Sequence, residues 1–280
     1  MSSVYLSNRS FIKVRGNSAV SFLQNIITAD ISSLPFKVAR SSAILTPQGK
    51  ILFYFLISKV EEKVFLLEVD TNKRDSLIEK LAFYKLRSDV VLEIQPINGI
   101  TLFWNKKYIS DHPSFVDERF SIANVLLYRT WGYNDNATYD VTEYNKLRIN
   151  YGIVDPDTDF LPSTIFPHDA LMDLTKGISF TKGCYIGQEV VSRIQHRGII
   201  RKRPIIITGK DTLPPSGSYI VVNNVKIGIL GVSAGKKALS ITRTDKINDA
   251  IKKCMIITVN GIEVIPTFPK LLEYNECISK

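Results

Sequence analysis

The sequence predicts a mixed α+β protein of two or three domains. Three observations carry that reading. The chain has 280 residues, more than one small domain takes. Residues 41 to 130 alternate short apolar runs with one amphipathic stretch, the element order of an α+β domain. From Arg203 onward, short apolar runs are separated by Pro214-Pro215, Asn223-Asn224, Gly235 and Asn260-Gly261. That spacing reads as a small antiparallel barrel or sandwich.

Each element has its own local reason. Asn17 or Ser18 caps a helix running to about Asp30, in which Ala19, Phe22 and Ile26 lie beside Val20, Leu23 and Ile27 as a wide apolar face. Ala43 to Leu45 and Lys50 to Ser58 flank Thr46-Pro47-Gln48-Gly49. Proline second and glycine fourth suit a type I turn, so this is a hairpin. Val64 to Val69 is a strand. Thr71 then caps a helix to about Leu86, with Leu77, Leu81 and Tyr84 on one face. Val90 to Ile94, Ile100 to Trp104 and Asn124 to Thr130 are further strands.

Asp140 to Asn150 is helical and stops near Gly152. Pro156, Pro162 and Pro167 punctuate a loop, and Pro167 starts a short helix through Leu174. Gly187 to Arg197 forms another helix, with Val190, Val191 and Ile194 inward and Gly198 as its stop. Asn260-Gly261 marks a tight hairpin.

Composition excludes several classes. The chain is 45% hydrophobic and 22% charged, too apolar for a disordered segment. Its longest apolar run, Ile51 to Ile57, is too short to span a membrane, and the first twenty residues lack the core of a signal peptide. No membrane partner is expected. Cys184, Cys254 and Cys277 are few, odd in number and far apart, which argues for a reducing compartment, most simply the cytoplasm. Net charge is +9. Most of the excess is scattered, but Arg193, His196, Arg197, Arg201, Lys202 and Arg203 are concentrated.

The stretch Thr181 to Gly198 carries the chemistry. Gly183 and Gly187 bracket Cys184-Tyr185-Ile186, and glycine lets the backbone turn freely and lets a ligand come close. The segment ends at a helix N-terminus, which favours anions and lowers a thiol's pKa. Lys182 adds a positive charge, and Gln188 and Glu189 fall in the first helical turn. The residues alone leave two readings open: a reactive or metal-ligating thiolate, and a buried cysteine in a tight loop. A lone thiolate does not hold an iron–sulfur cluster, so Cys184 is a metal ligand only if a partner supplies the others.

Lys182-Gly183-Cys184-Tyr185-Ile186-Gly187-Gln188-Glu189 resembles the signature of the YgfZ family, folate-binding proteins related to the Iba-type iron–sulfur assembly factors. Phe22-Leu23-Gln24-Asn25 with Thr28-Ala29-Asp30 is similar to that family's N-terminal helix motif. Ser42 to Lys50 resembles its first hairpin, and Tyr84-Lys85-Leu86-Arg87 another of its elements. Arg148, Gly152 and Pro167 are spaced like the stretch leading into the signature, and Lys226-Ile227-Gly228 with Ser233 fits its C-terminal run.

The resemblance implies a three-domain cloverleaf like the T-protein of the glycine cleavage system, an aminomethyltransferase. The first domain would be discontinuous, residues 1–40 with 131–201, and would bind folate and carry the signature. A ferredoxin-like middle domain would cover 41–130 and a β-barrel 202–280. The implied function is iron–sulfur cluster assembly or repair, with tetrahydrofolate as cofactor, Cys184 as the functional thiolate and a cluster transiently shared with an assembly protein or client enzyme.

Arg148 and Asn150 are candidate folate contacts. Arg193 and Arg197 are candidate anion contacts. Aminomethyltransferases of this fold carry a glutamate where this chain has Asn150, so a charge-dependent pterin contact is absent here, although an amide still donates and accepts.

Two alternatives belong to other classes. A folate-dependent one-carbon transferase would use a carboxylate, Asp30 or Asp70, near the folate nitrogens. A tRNA-modification or RNA-binding factor would place phosphates on the basic residues 193 to 203, which have no interleaved aromatics for base stacking. Whether the chain turns over a substrate is left open. His168, after Pro167, reads as a satisfied polar group.

Overall fold

Near-continuous apolar runs such as Val64-Phe65-Leu66-Leu67-Glu68-Val69, buried on both faces, put the first half of the chain into strands. A computed structural model describes residues 2–105, 113–156, 158–198 and 200–272. Cys277 lies outside the described residues. The chain divides into two units, Met1–Val141 with Thr175–Val190, and Thr142–Leu174 with Val191–Lys280.

The first unit contains β1 (Ser2–Leu6), β2 (Arg9–Arg15), α1 (Ala19–Ile26), β3 (Val38–Leu45), β4 (Ile51–Glu61), β5 (Val64–Asp70), α2 (Thr71–Lys85), β6 (Val91–Ile94), β7 (Ile100–Trp104), β8 (Ser114–Asp117), α3 (Glu118–Ser121) and β9 (Leu127–Trp131). Among the described residues these strands form one sheet in the order β1-β7-β9-β8-β3-β4-β5-β2-β6. The β3–β8 pair is parallel, joining Val38 to Val116 and Ala39 to Asp117. β1 and β2 were not foreseen, because their partners are distant: Ser2 faces Trp104, and Arg9 faces Asp70.

Apolar faces of α1 and α2 close one core on this sheet. Phe22, Leu23, Ile44, Phe55, Phe65, Leu77 and Leu81 are all buried in it. Each such side chain contributes about 1.5–3 kcal/mol. The sheet also encloses ion pairs. Arg129 bridges Glu68 and Asp117, while Arg9 binds Glu68 at 2.8 Å and Arg119 binds Asp117 at 2.7 Å. Burial would raise the Glu68 carboxyl, but Arg129 and Arg9 hold it down to about 2.

Three helix boundaries correct the sequence reading: the short helix expected from Pro167 through Leu174 is a 3₁₀ turn that ends at Ala170, where Leu171 takes a positive φ. The first helix ends at Ile26 rather than near Asp30, because Ile27 forms a bridge to Ile44 and Thr28 N–H donates to Ala43 O at 3.0 Å. The second helix is capped by Asp70, not Thr71. Asp70 Oδ1 accepts from Asn72 N at 2.9 Å.

The second unit contains α4 (Thr142–Tyr151), a 3₁₀ turn at Pro167–Ala170, α5 (Gln188–Arg197), β10 (Lys202–Gly209), β11 (Tyr219–Val222), β12 (Val225–Ala234), β13 (Lys237–Arg243), α6 (Thr244–Lys252), β14 (Ile257–Val259) and β15 (Ile262–Thr267). The first three residues of α5 count with the first unit. The six strands close into an antiparallel barrel, β10-β13-β12-β11-β14-β15, sealed by β15 on β10. Asn260 and Gly261 both take positive φ, as a two-residue hairpin between β14 and β15 requires. Ile205, Ile207, Leu230, Ile247 and Val259 fill the barrel core. The helix α6 was not foreseen among these strands.

Candidate functional site

The site is built where three separate stretches of the first unit meet. The chain after α1 holds the loop that precedes α5. Ser179 N–H donates to Thr28 O at 2.9 Å, and Thr28 Oγ1 donates to Gly177 O at 2.7 Å. Lys182 then turns inward. Its Nζ donates to three main-chain oxygens, Gln24 and Ala29 at 2.9 Å each and Ile27 at 2.5 Å. The Gln24 carbonyl is open to it because α1 ends at Ile26 and leaves its last oxygens without helical partners, and Ile27 and Ala29 lie in the chain just after the helix. Burial pushes the Lys182 ammonium down to about 7, and Asp30 pulls it part of the way back.

Asp30 itself is set by its neighbours. Burial would raise its carboxyl, but hydrogen bonds from Ser33, Gln24 and the Ser32 main chain hold it below the usual range. The sequence reading treated Lys182 as a charge beside the thiol. The structure adds an anchoring role, since the lysine ties the loop to residues 24–29.

Tyr185 lies on the same side as the anchor. Its ring sits 4.8 Å from Lys182 Nζ, the residue is buried, and its hydroxyl has no hydrogen-bond partner among the described residues. Burial pushes that hydroxyl up. Tyr185 N–H donates to Gln188 Oε1 at 3.3 Å, so the first residue of α5 caps the loop it follows.

The third stretch is the hairpin turn. Gly49 N–H donates to Thr46 O at 2.9 Å, closing the turn foreseen at Thr46-Pro47-Gln48-Gly49. Gly187 packs on it with φ of 80°. A side chain there would bring its Cβ to 2.6 Å from Thr46 O and 3.1 Å from Gly49 Cα. Gly183 differs from the expectation. It has no positive φ, and a Cβ would meet nothing within 4 Å. Of the two bracketing glycines, only Gly187 is required by the backbone.

Between these anchors Cys184 is exposed, with its thiol free. The reading of a buried cysteine in a tight loop is therefore excluded. Glu189 is exposed in the first turn of α5, and Arg193 and Arg197 are exposed further along it. Cys254 is also exposed and free. Among the described residues no group of three or more His, Cys, Asp or Glu side chains is placed to hold a metal ion.

The remaining candidates fall in the second unit. Arg148 is buried, with Nη1 donating to Asp159 Oδ2 at 2.7 Å and to Ile153 O at 3.1 Å, and with Asp155 3.5 Å from its Nε. Asp159 also accepts from Asp155 N and Val232 N. These contacts make Arg148 the fastener of the 153–159 loop. Asn150 is half-buried, and its Oδ1 accepts from Lys237 Nζ at 3.4 Å. His168 is fully buried. Its Nε2 lies 3.2 Å from Gln195 Oε1, and burial lowers its pKa. Arg203 donates to His168 O and forms a two-pronged pair with Asp173 at 2.7 Å.

A pterin with a polyglutamate tail needs an amide or carboxylate at its ring edge and cations for its tail. The second unit offers that donor set in Asn150, Arg193 and Arg197, so these residues fit the group by their chemistry.

Comparison with known proteins gives a consistent picture. The family model for the C-terminal β-barrel domain of CAF17 matches residues 201–274. The human mitochondrial iron–sulfur cluster assembly factor IBA57 is 26% identical over 275 residues, covering 86% of this chain and 77% of its own length. The mouse protein of that name is 29% identical over 241 residues, covering 76% and 67%. The IBA57 homolog of Pyricularia oryzae is 30% identical over 214 residues, covering 71% and 55%.

The crystal structure of glycine cleavage system aminomethyltransferase T from Bartonella henselae superposes with a TM-score of 0.75. It covers 96% of this chain and 85% of that one at 12% identity, a likeness of fold. The T-protein-like α+β fold with its C-terminal barrel is thus the one this chain adopts. The cytoplasmic expectation is overturned: these relatives are named as mitochondrial, which points to mitochondria. The number and spacing of cysteines do not separate one reducing compartment from another.

Proposed function

Since the chain is a relative of the IBA57-type iron–sulfur cluster assembly factors on a T-protein-like fold, we propose that it acts in mitochondrial iron–sulfur cluster assembly through Cys184. The observation that carries this is the exposed thiol on a loop whose two ends are fastened, at Lys182 and at Gly187. The cluster is cargo. A partner holds it with its own ligands, and the Cys184 sulfur replaces one of them, thiolate for thiolate, so no electron is gained or lost. The proposed partners are the cluster-carrying assembly protein and the enzyme that receives the cluster.

We read the second unit as the tetrahydrofolate-binding part of this function. Asn150 would meet the pterin edge, and Arg193 and Arg197 the tail carboxylates. Arg148 acts as a positioning residue that fixes the loop after α4. When bound, tetrahydrofolate supplies a carrier for one-carbon groups. The division into residues 1–40 with 131–201, 41–130 and 202–280 is part of this proposal.

Replacing Cys184 by Ser tests the thiol. In cells lacking the native gene, the variant should accumulate and unfold at the wild-type temperature, yet leave iron–sulfur enzymes at the level of the deletion. Full complementation would sink the proposal and reduce the loop to scaffold. Calorimetric titration with tetrahydrofolate tests the second part. Equal binding by wild type and Cys184→Ser separates folate from the thiol, and absence of binding removes the folate reading.

A further inference from the structure

The second unit encloses a cavity of about 510 Å³ that the thiol and folate readings do not use. It lies between the loop at Thr158–Ile165 and the barrel strands β12 and β13. Its size is that of an ordinary small-molecule site. The lining is mostly apolar. Phe160, Ile165 and Leu230 are buried in its wall, while Leu161 and Ile229 line it although they are half exposed or more.

Two cations share this lining. Lys202 on β10 stands directly opposite Arg243 on β13. Like charges at opposed positions of a strand pair repel one another. Arg243 is paired with Asp245 at 2.5 Å, whereas Lys202 has no carboxylate at ion-pair distance among the described residues. The lining carboxylate is Asp159, and both its oxygens are engaged, one by Arg148 and Asp155 N, the other by Val232 N at 2.6 Å. The cavity therefore presents excess positive charge beside apolar walls.

The walls are fixed. Asp159 fastens the loop to β12 through Val232, and Ser216 Oγ donates to Thr158 O at 2.8 Å. Gly228 and Gly231 let β12 approach closely: a Cβ at Gly228 would collide with Thr242 Oγ1, and one at Gly231 with Asp159 Oδ1. A site formed in advance loses little on ordering. The Lys226-Ile227-Gly228 motif, singled out in the sequence, thus supplies part of a cavity wall.

We propose that this cavity binds a small organic anion with an apolar body, of the medium-chain carboxylate class. The carboxylate sits between Lys202 and Arg243, and the chain lies along Phe160, Ile165 and Leu230. Its lining includes neither Cys184 nor the proposed folate contacts Asn150, Arg193 and Arg197.

Calorimetric titration of the full chain with octanoate, 1-octanol and octylamine tests it. Octanoate should bind one site saturably, with Kd below about 1 mM. Octanol and octylamine should bind at least about tenfold more weakly, because a charge-assisted hydrogen bond contributes about 1.5–3 kcal/mol. Lys202→Met should cost about tenfold for octanoate and erase the preference over octanol. Ile229→Trp, on a half-exposed strand position, should block binding with the circular dichroism spectrum unchanged.

Equal binding of octanoate and octanol, no saturable octanoate binding, or an unchanged Lys202→Met would each overturn the proposal. Displacement of octanoate by equimolar tetrahydrofolate would overturn it as a separate site. Cosedimentation with phosphatidylglycerol vesicles without saturable octanoate binding would overturn it in favour of a membrane surface.

Discussion

Around Cys184 the charge that turns inward is the half-buried Lys182, held by three main-chain oxygens, and the thiol two residues on stays in solvent. Around Arg148 the charges close on one another, with Arg148 against Asp159 and Asp155, and Arg203 against Asp173. Both regions come from stretches rich in titratable residues. The first uses an anchored lysine beside an exposed thiol. The second uses ion pairs to fasten a loop and the 3₁₀ turn after it. An arginine with matched carboxylates fulfils its bonding inside the fold, while an exposed sulfur on an anchored loop leaves its bonding open to a partner.

The largest expected loss comes from removing a carboxylate from the second region. Asp159→Ala leaves the buried Arg148 guanidinium without its shortest partner and frees Val232 N. It should cost about 3–5 kcal/mol, seen as a fall of roughly 6–15 °C in the unfolding midpoint. A loss under about 1 kcal/mol would mean that Asp155 and water compensate, and that Arg148 is not the fastener described.

The next largest effect belongs to the first region and separates its two glycines. Gly187→Ala puts a side chain into a left-handed backbone and against Thr46 O, and should cost about 2–3 kcal/mol. Gly183→Ala meets no neighbour and has no φ constraint, so it should change stability by under about 0.5 kcal/mol. Equal losses in the two variants, read by urea unfolding, would contradict the packing of Gly187 on the hairpin turn.

The smallest effect is a pH dependence that sharpens the role of Lys182. Its folded pKa, about 7, lies below the unfolded value of 10.5. Between these values the unfolded chain binds more protons, so stability rises with pH across that window and is lost as pH falls toward 7. Lys182→Met should flatten this rise, a difference of about 1–2 kcal/mol between the two proteins at pH 8.5 relative to pH 7. Parallel stability curves would mean that the three carbonyl contacts offset the burial and hold the ammonium at its ordinary value.

The features legible in the residues alone are local. The turn at Thr46–Gly49, the hairpin at Asn260-Gly261, the helices ending near Gly152 and Gly198 and the α+β class all follow from residues within one or two turns of each other. The same holds for Cys184 as the residue to watch, because glycine, cysteine and a helix start are adjacent in the chain. The decisions left to tertiary structure concern groups far apart in sequence.

Residue spacing said nothing of β1 pairing with β7 or β2 with β5 and β6, since pairing depends on where the intervening hundred or fewer residues carry the chain. Nor did it show that Lys182 reaches carbonyls at Gln24, Ile27 and Ala29, because main-chain oxygens have no sequence signature. Arg148 looked like a ligand contact and became a loop fastener once Asp159 folded against it. A charged side chain takes the nearest well-placed partner, and only the folded chain decides which partner that is.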